Sequence, residues 1–201
     1  MKDRQPKHRQ AARERARLDR WAASRAGLPT ALIVCEGRCT EPYYLGGLLE
    51  HLGVNAANAH IQTGSYKTDA LSLVRDARAR FRSTPEYDHV FVVLDGDQAH
   101  LDEARREAGK GMAKAGGGRV TVELIVTSPC FEYWLLLHFE YTTRGLRSVE
   151  AVRALEAHLT DYEKGDREIF AKVSGGLAMA EANAAKGIRD IAATGAVSPR
   201  T

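Results

Sequence analysis

Three observations predict an α/β fold with a mostly parallel sheet flanked by helices. Short, largely β-branched apolar runs occur at 31–35 and 90–94, and each leads into an acid and a glycine, the pattern of buried parallel strands. Segments with apolar residues at helical spacing separate such runs. The strand–helix order then repeats along the chain, as in a parallel sheet covered on both faces. Two units follow: a basic N-terminal arm, residues 1–28, and an α/β domain, residues 29–201.

In order, the arm reads as helical from Gln10 to Ala26, since it is rich in Ala and Arg, and Gly27-Leu28-Pro29-Thr30 punctuates its end. The first strand covers 31–35. Thr40-Glu41-Pro42 opens a helix, with Thr40 as its cap and Pro42 in the first turn; Tyr44, Leu45, Leu48, Leu49 and Leu52 form the apolar stripe. A weak second strand centres on His60-Ile61-Gln62. Leu71, Val74, Ala77 and Phe81 mark the next helix, and Pro85 to Asp88 a turn before the strand at 89–94. Residues 101–115 read as an exposed helix stopped by Gly116-Gly117-Gly118, Val120 to Val126 as a strand, and the segment after Ser128-Pro129 as a helix carrying Phe131, Trp134, Leu135, Leu137, His138 and Phe139. Further helices are expected at 148–158 and 174–193.

Composition narrows the function classes. The chain has 201 residues, 44% of them hydrophobic, enough for one domain with a real core. No apolar run reaches the length of a membrane span, and the charged N-terminus lacks a signal-peptide core; the expectation is a cytoplasmic protein with no membrane partner. Cys35, Cys39 and Cys130 read as reduced thiols, and no second Cys or His pair completes a zinc site beside Cys35 and Cys39. Residues 1–26 hold nine basic and three acidic side chains, a net of +6, so the remainder carries −3 within the total of +3. An arm bearing Arg9, Arg13 and Arg17 is the electrostatic footprint of a polyanion such as DNA or RNA; the competing reading is a solvated tail.

Two acidic motifs carry the chemistry. Glu36-Gly37 follows the first strand, and Asp95-Gly96-Asp97 follows the strand at 89–94. Ligands of open α/β sheets bind at the carboxyl ends of the strands, so Glu36, Asp95 and Asp97 are expected at one sheet edge. Crowded carboxylates repel unless a cation neutralises them, and hard oxygen ligands suit Mg²⁺ or Mn²⁺. Asp-x-Asp alone has several uses. Aspartyl phosphatases follow it with Thr, whereas Gln98-Ala99 follows here; nucleotide-sugar transferases are longer chains; metal-dependent nucleic-acid chemistry fits; and the bland use is a turn in which an Asp caps the next helix. Gly37 lets the backbone pass close to a ligand or adopt positive φ. Glu41 is either a second carboxylate of that edge or a first-turn acid favoured by the helix dipole, and the latter is the preferred reading.

The blocks ALIVCEGRCTEPYYLGGL, VFVVLDGDQAH and SPCFEYWLLLHF, at 31–48, 90–100 and 128–139, together resemble the RloB-like family. Members of that family resemble the Toprim fold of topoisomerases, bacterial primases and OLD-type nucleases. The resemblance implies metal held by Glu36, Asp95 and Asp97, a setting in restriction-modification or phage-defence loci, and in some cases an ATPase partner protein. Ser128 stands where the family's third block has Asn, keeping a capping hydroxyl. The family runs past a C-terminal Asn-Pro-x-Thr into one more helix, whereas this chain ends at Ser198-Pro199-Arg200-Thr201, so a last element is expected to be missing.

Other residues are weighed individually. Glu132 is expected at the same edge as a fourth acid or general base, against a role near a positive helix end. His100, five residues after Asp95, is a candidate for metal or phosphate binding or a solvated loop residue. His138 and Trp134 read as core. Lys67 is a candidate phosphate contact, with Lys164 and Lys172 as weaker ones. No tyrosine is placed for a covalent step, Tyr43 and Tyr44 being the nearest. The function expected is metal-dependent nuclease-like chemistry at a phosphodiester in a prokaryotic defence system. The alternative is a non-catalytic or partner-dependent nucleic-acid-binding or scaffold module working with an ATPase.

Overall fold

A computed structural model of the chain describes residues 29–64 and 69–193. The expectations for the arm, with Arg9, Arg13 and Arg17, for Lys67 and for the C-terminal residues 198–201 lie outside the described residues.

The main sheet has four parallel strands. β1 (Ala31–Cys35) leads through α1 (Thr40–His51) to β2 (Ala59–Thr63) at the edge. The chain then passes through α2 (Ala70–Ser83), crosses back to β3 (His89–Asp95) on the other side of β1, and continues outward through α3 (Leu101–Ala108) and a short hairpin to β6 (Val122–Thr127). The strand order is β2-β1-β3-β6. The connections from β1 and from β3 therefore run in opposite directions. This makes a topological switch point between those strands, where α/β sheets form a crevice at the carboxyl edge. Register places Cys35 beside both Thr63 and Val93, and Asp95 beside Thr127.

Alternation along the strands builds two cores. Leu32, Val34, Val90, Val92 and Leu94 pack on Leu73, Val74, Ala77 and Phe81 of α2 and on Ala104 and Ala108 of α3. Ile33, Cys35 and Val93 face the opposite way, toward Tyr44 of α1, Phe131 and Leu135 of α4 (Phe131–Leu136), Leu155 of α5 (Ser148–His158) and Phe170 of α6 (Ile169–Val173). As expected, His138 and Trp134 belong to this second core. His138 Nδ1 lies 3.1 Å from the Trp134 carbonyl and its Nε2 3.0 Å from the Tyr44 hydroxyl. A carbonyl only accepts, so Nδ1 carries the proton and the Tyr44 O–H donates to Nε2. Cys35, Cys39 and Cys130 are free thiols. Among the described residues no helix is long and apolar enough to cross a membrane.

The structure corrects several local expectations. The helix expected over 101–115 ends at Ala108, because Gly109 and Gly111 interrupt it, and the next residues form a hairpin of β4 (Met112–Ala113) and β5 (Arg119–Val120). Gly116, Gly117 and Gly118 make the hairpin's turn, all at positive φ, rather than stopping a helix. The strand expected from Val120 to Val126 divides at Thr121: Val120 pairs with Met112, whereas Val122 pairs with Val90 in the main sheet. The helix expected over 174–193 resolves into a 3₁₀ turn (Ser174–Gly176), which continues from α6, and α7 (Leu177–Ala193). Neither expected cap forms. The N-cap positions of α1 and α4 are Cys39 and Cys130, without side-chain capping bonds. The side chain that caps α2 is Asp69, which accepts from the Leu71 and Ser72 amides at 3.1 and 3.2 Å.

Candidate acidic site at the carboxyl edge

The sheet brings Glu36 and Asp95 together because β1 and β3 are neighbours in register and both end at the switch point. The Asp95 amide donates to Glu36 Oε2 at 3.0 Å, and Gln98 Nε2 donates to Glu36 Oε1 at 2.6 Å. Asp95 shares the parity of Phe91 and Val93, so it projects toward the face covered by α1 and α4. Thr127 of the next strand donates to Asp95 Oδ1 at 3.2 Å. The ladder is extended past the strand end by the Gly96 amide, 2.7 Å from the Thr127 carbonyl. A Cβ on Gly96 would lie 2.8 Å from Ser128 Cβ and 3.1 Å from its Cα, so glycine there lets the two strand ends close on each other.

Two acids from the covering helices complete the group. Glu132 of α4 is 4% exposed; it accepts from the Tyr162 hydroxyl at 3.0 Å and lies 3.8 Å from Lys164 Nζ. Glu41 of α1 is 7% exposed, and its carboxylate folds back over Gly37, where a Cβ would sit 1.9 Å from Oε2. Gly37 thus serves close approach by a side chain of its own segment, and positive φ is not used there. The first-turn position expected for Glu41 is correct, but its side chain is turned inward to the acidic group.

These charges act on one another. Burial raises Asp95 above its ordinary value, and the charges of Glu36, Glu41 and Glu132 push it further, to about 7, against the Thr127 hydrogen bond. Glu36 is raised by burial and by the charges of Glu41 and Asp97, against the Asp95 amide and Lys164. Glu41 is raised by burial and by Glu132, against its own and the Gly37 amides and Lys164. The thiols behind the group are kept protonated: Cys35 is pushed up to about 12 by burial and Glu41, and Cys130 to about 12 by burial and Glu132.

The other expected residues are less central. Asp97 is exposed and accepts from Ser148 at the start of α5, 3.0 Å away. His100 is exposed, in the left-handed conformation at the start of α3. Lys172 is committed to Asp161 and Asp166 at 2.6 and 2.7 Å. Sequence reasoning missed Gln98, Thr127, Ser148 and Tyr162, whose roles depend on long-range placement.

The donor set suits a hard divalent cation in chemistry: carboxylate oxygens with negative charge in excess of the nearby cations. In the arrangement described, however, the carboxylates are tied to hydrogen-bond donors, and among the described residues no three His, Cys, Asp or Glu side chains converge as a ligating group. Loading the group asks Glu36, Asp95 or Asp97 to rotate away from Gln98, Thr127 or Ser148.

Against known proteins, no curated protein and no solved structure matches the chain. A family model described as RloB-like protein matches residues 31–200. That span contains the whole sheet, every acid of the candidate site and the helices that position them, and the chain belongs to the RloB-like family.

Proposed function

We propose that this chain is a metal-dependent, nuclease-like protein acting at phosphodiesters, of Toprim-like type and serving a prokaryotic defence system. One observation carries this reading: Asp95 sits at a topological switch point with its pKa raised to about 7 by burial and three neighbouring acids. A structural carboxylate gains nothing from such company, whereas a cation-binding one needs it. Glu36, Asp95 and Asp97 would hold Mg²⁺ or Mn²⁺, which when bound supplies Lewis acidity at a phosphate oxygen. The Asp95 amide and Gln98 orient Glu36, and Thr127 orients Asp95. Glu132, or Glu36, is the candidate to take a proton from the nucleophile. Arg9, Arg13 and Arg17, together with Lys67, would attract the DNA or RNA backbone, so affinity should fall steeply with added salt.

A second reading has a specific observation in its favour. The tethered carboxylates are those of a site that assembles only when something releases them, and a partner such as an ATPase subunit would be the trigger. The deciding experiment titrates Mg²⁺ and Mn²⁺ calorimetrically into the wild type and Asp95→Ala/Asp97→Ala, with a nuclease assay on the same samples. Binding and cleavage both lost in the variant support the nuclease. Binding without cleavage favours the partner-dependent module. No binding in folded wild type leaves a scaffold.

A further inference from the structure

A groove of about 450 Å³ runs along α1 where α6 packs beside it. Close packing makes its floor. A Cβ on Gly47 would lie 2.6 Å from Phe170 Cβ, so glycine lets the Phe170 side chain lie against the α1 backbone. Tyr43 lines the end nearest the acidic edge, one helical turn from Thr40, and His51 the other end, its ring 5.6 Å from that of Phe170. From Tyr43 to His51 the helix rises about 12 Å, the length of roughly three stacked nucleotides.

Arg167 holds its guanidinium over the Tyr43 ring, with Cζ 5.6 Å from the centroid. Its backbone is pinned nearby. The Gly165 amide donates to Thr40 Oγ1 at 3.2 Å, and Lys172 grips Asp166 at 2.7 Å. The Arg167 side chain is exposed, and among the described residues no carboxylate pairs with it. Its separation from the ring is informative. Planes in direct contact lie about 3.5–4 Å apart, whereas a base held between two planes needs about 6.8 Å, twice the stacking rise. The pair is too open for contact and about 1 Å short of a sandwich, which a small rotation of an exposed arginine supplies.

We propose that Tyr43 and Arg167 form a sandwich for one unpaired base of a single-stranded nucleic acid that enters the groove from the acidic edge. An aromatic face and a guanidinium plane both take the π-face that every base presents. Glu50 and Glu168 line the same groove and repel phosphate, so the base lies inside and the backbone stays at the rim. This inference rests on the nucleic-acid part of the proposed function and needs no bound metal.

The test uses the full chain in chelator, with fluorescence anisotropy on a short single-stranded oligodeoxycytidylate and on an abasic strand of the same length. Tyr43→Ala should bind the intact strand about 5–100-fold more weakly than wild type, and Tyr43→Phe should bind like wild type. Arg167→Lys keeps the charge but loses the plane, so its affinity should fall about 2–5-fold with the salt dependence unchanged. On the abasic strand all four proteins should bind alike and weakly. Wild type that holds the abasic strand as tightly as the intact one, or Tyr43→Ala that matches wild type, overturns the sandwich and leaves the nucleic-acid reading standing. A single strand that wild type does not bind overturns both. Base-dependent binding without cleavage upholds the sandwich and counts against the nuclease. Tyr43 also packs on the second core; should Tyr43→Ala fail to fold, Arg167→Lys and the abasic strand decide the matter.

Discussion

The two ends of β3 carry aspartates treated in opposite ways. Asp88, just before the strand, accepts from the Thr30 amide at 2.8 Å and the Thr30 hydroxyl at 3.2 Å and pairs with Lys114, which together lower its pKa to about 2. Asp95, at the strand's far end, is partly buried among like charges and raised to about 7. The same strand supplies both backbones, so the difference lies in what surrounds them. One carboxylate is satisfied within the fold and staples β1 to β3. The other is left short of positive charge by the fold, and that shortage is what a ligand can relieve.

The sharpest way to break the comparison is Asp95→Asn. The amide keeps an acceptor for Thr127 but removes the charge, so Mn²⁺ affinity should fall by about 100-fold or more in calorimetry. A variant that binds Mn²⁺ as wild type does would remove Asp95 from the ligand set. Gly96→Ala comes next. Its Cβ meets Ser128 side-chain and backbone atoms at 2.8–3.1 Å, so the strand ends must part; a loss of about 1–3 kcal/mol is expected in denaturant unfolding.

The pH profile of the cation-free protein is the third. Asp95 has a folded-state pKa above its ordinary 3.8, so between about pH 4 and pH 7 the native state holds more protons than the unfolded one. Stability from this group is present below that window and is lost as pH rises through it. After discounting for partial exposure, the loss is about 1–2 kcal/mol. In Asp95→Asn that slope should flatten and the melting temperature above pH 7 should rise by a few degrees, roughly 2–6 °C. Asp88→Asn should do the reverse at smaller amplitude. Its folded-state pKa is depressed, so the stability it provides is present above about pH 4 and is lost as pH falls toward 2. The variant should melt lower than wild type at pH 7, and the gap should close on acidification; a gap that persists at pH 2 would show that the contact is not ionic.

Much of this was legible in the residues. Leu32 to Cys35 and Val90 to Leu94 are apolar on consecutive positions because both faces of the sheet are covered, and that pattern reads directly as a buried parallel strand. Glu36 and Asp95 were legible as acids leaving such strands. What was not legible depended on distant placement. Glu41 reads as a second site carboxylate or as a first-turn acid, and the sequence favours the wrong one of the two until its carboxylate is found lying against Gly37. The glycine was the one local signal, and it reads equally well as room for a ligand. Tyr162, between α5 and α6, reaches the site from 30 residues beyond Glu132, and no local pattern announces that contact. The hairpin after α3 was hidden because Gly109 and Gly111 were outweighed by the helical charges around them, and Gly116 to Gly118 fit a helix stop as well as a turn.

α7 is attached unlike the rest of the molecule. Of its 17 residues only Ala180 is buried, and its ties to the body include the Asn183 side-chain amide, 2.9 Å from the Leu137 carbonyl, and the Tyr141 hydroxyl bonded to Asp190. It spans a cavity of about 170 Å³ bordered by Thr127, Ser128 and Trp134. A helix anchored by so little exchanges its amide protons through openings far cheaper than global unfolding. Deuterium should therefore enter α7 while β1 and β3 stay protected. Thr127 borders that cavity and also holds Asp95, so the most loosely held helix and the acidic edge meet at one residue.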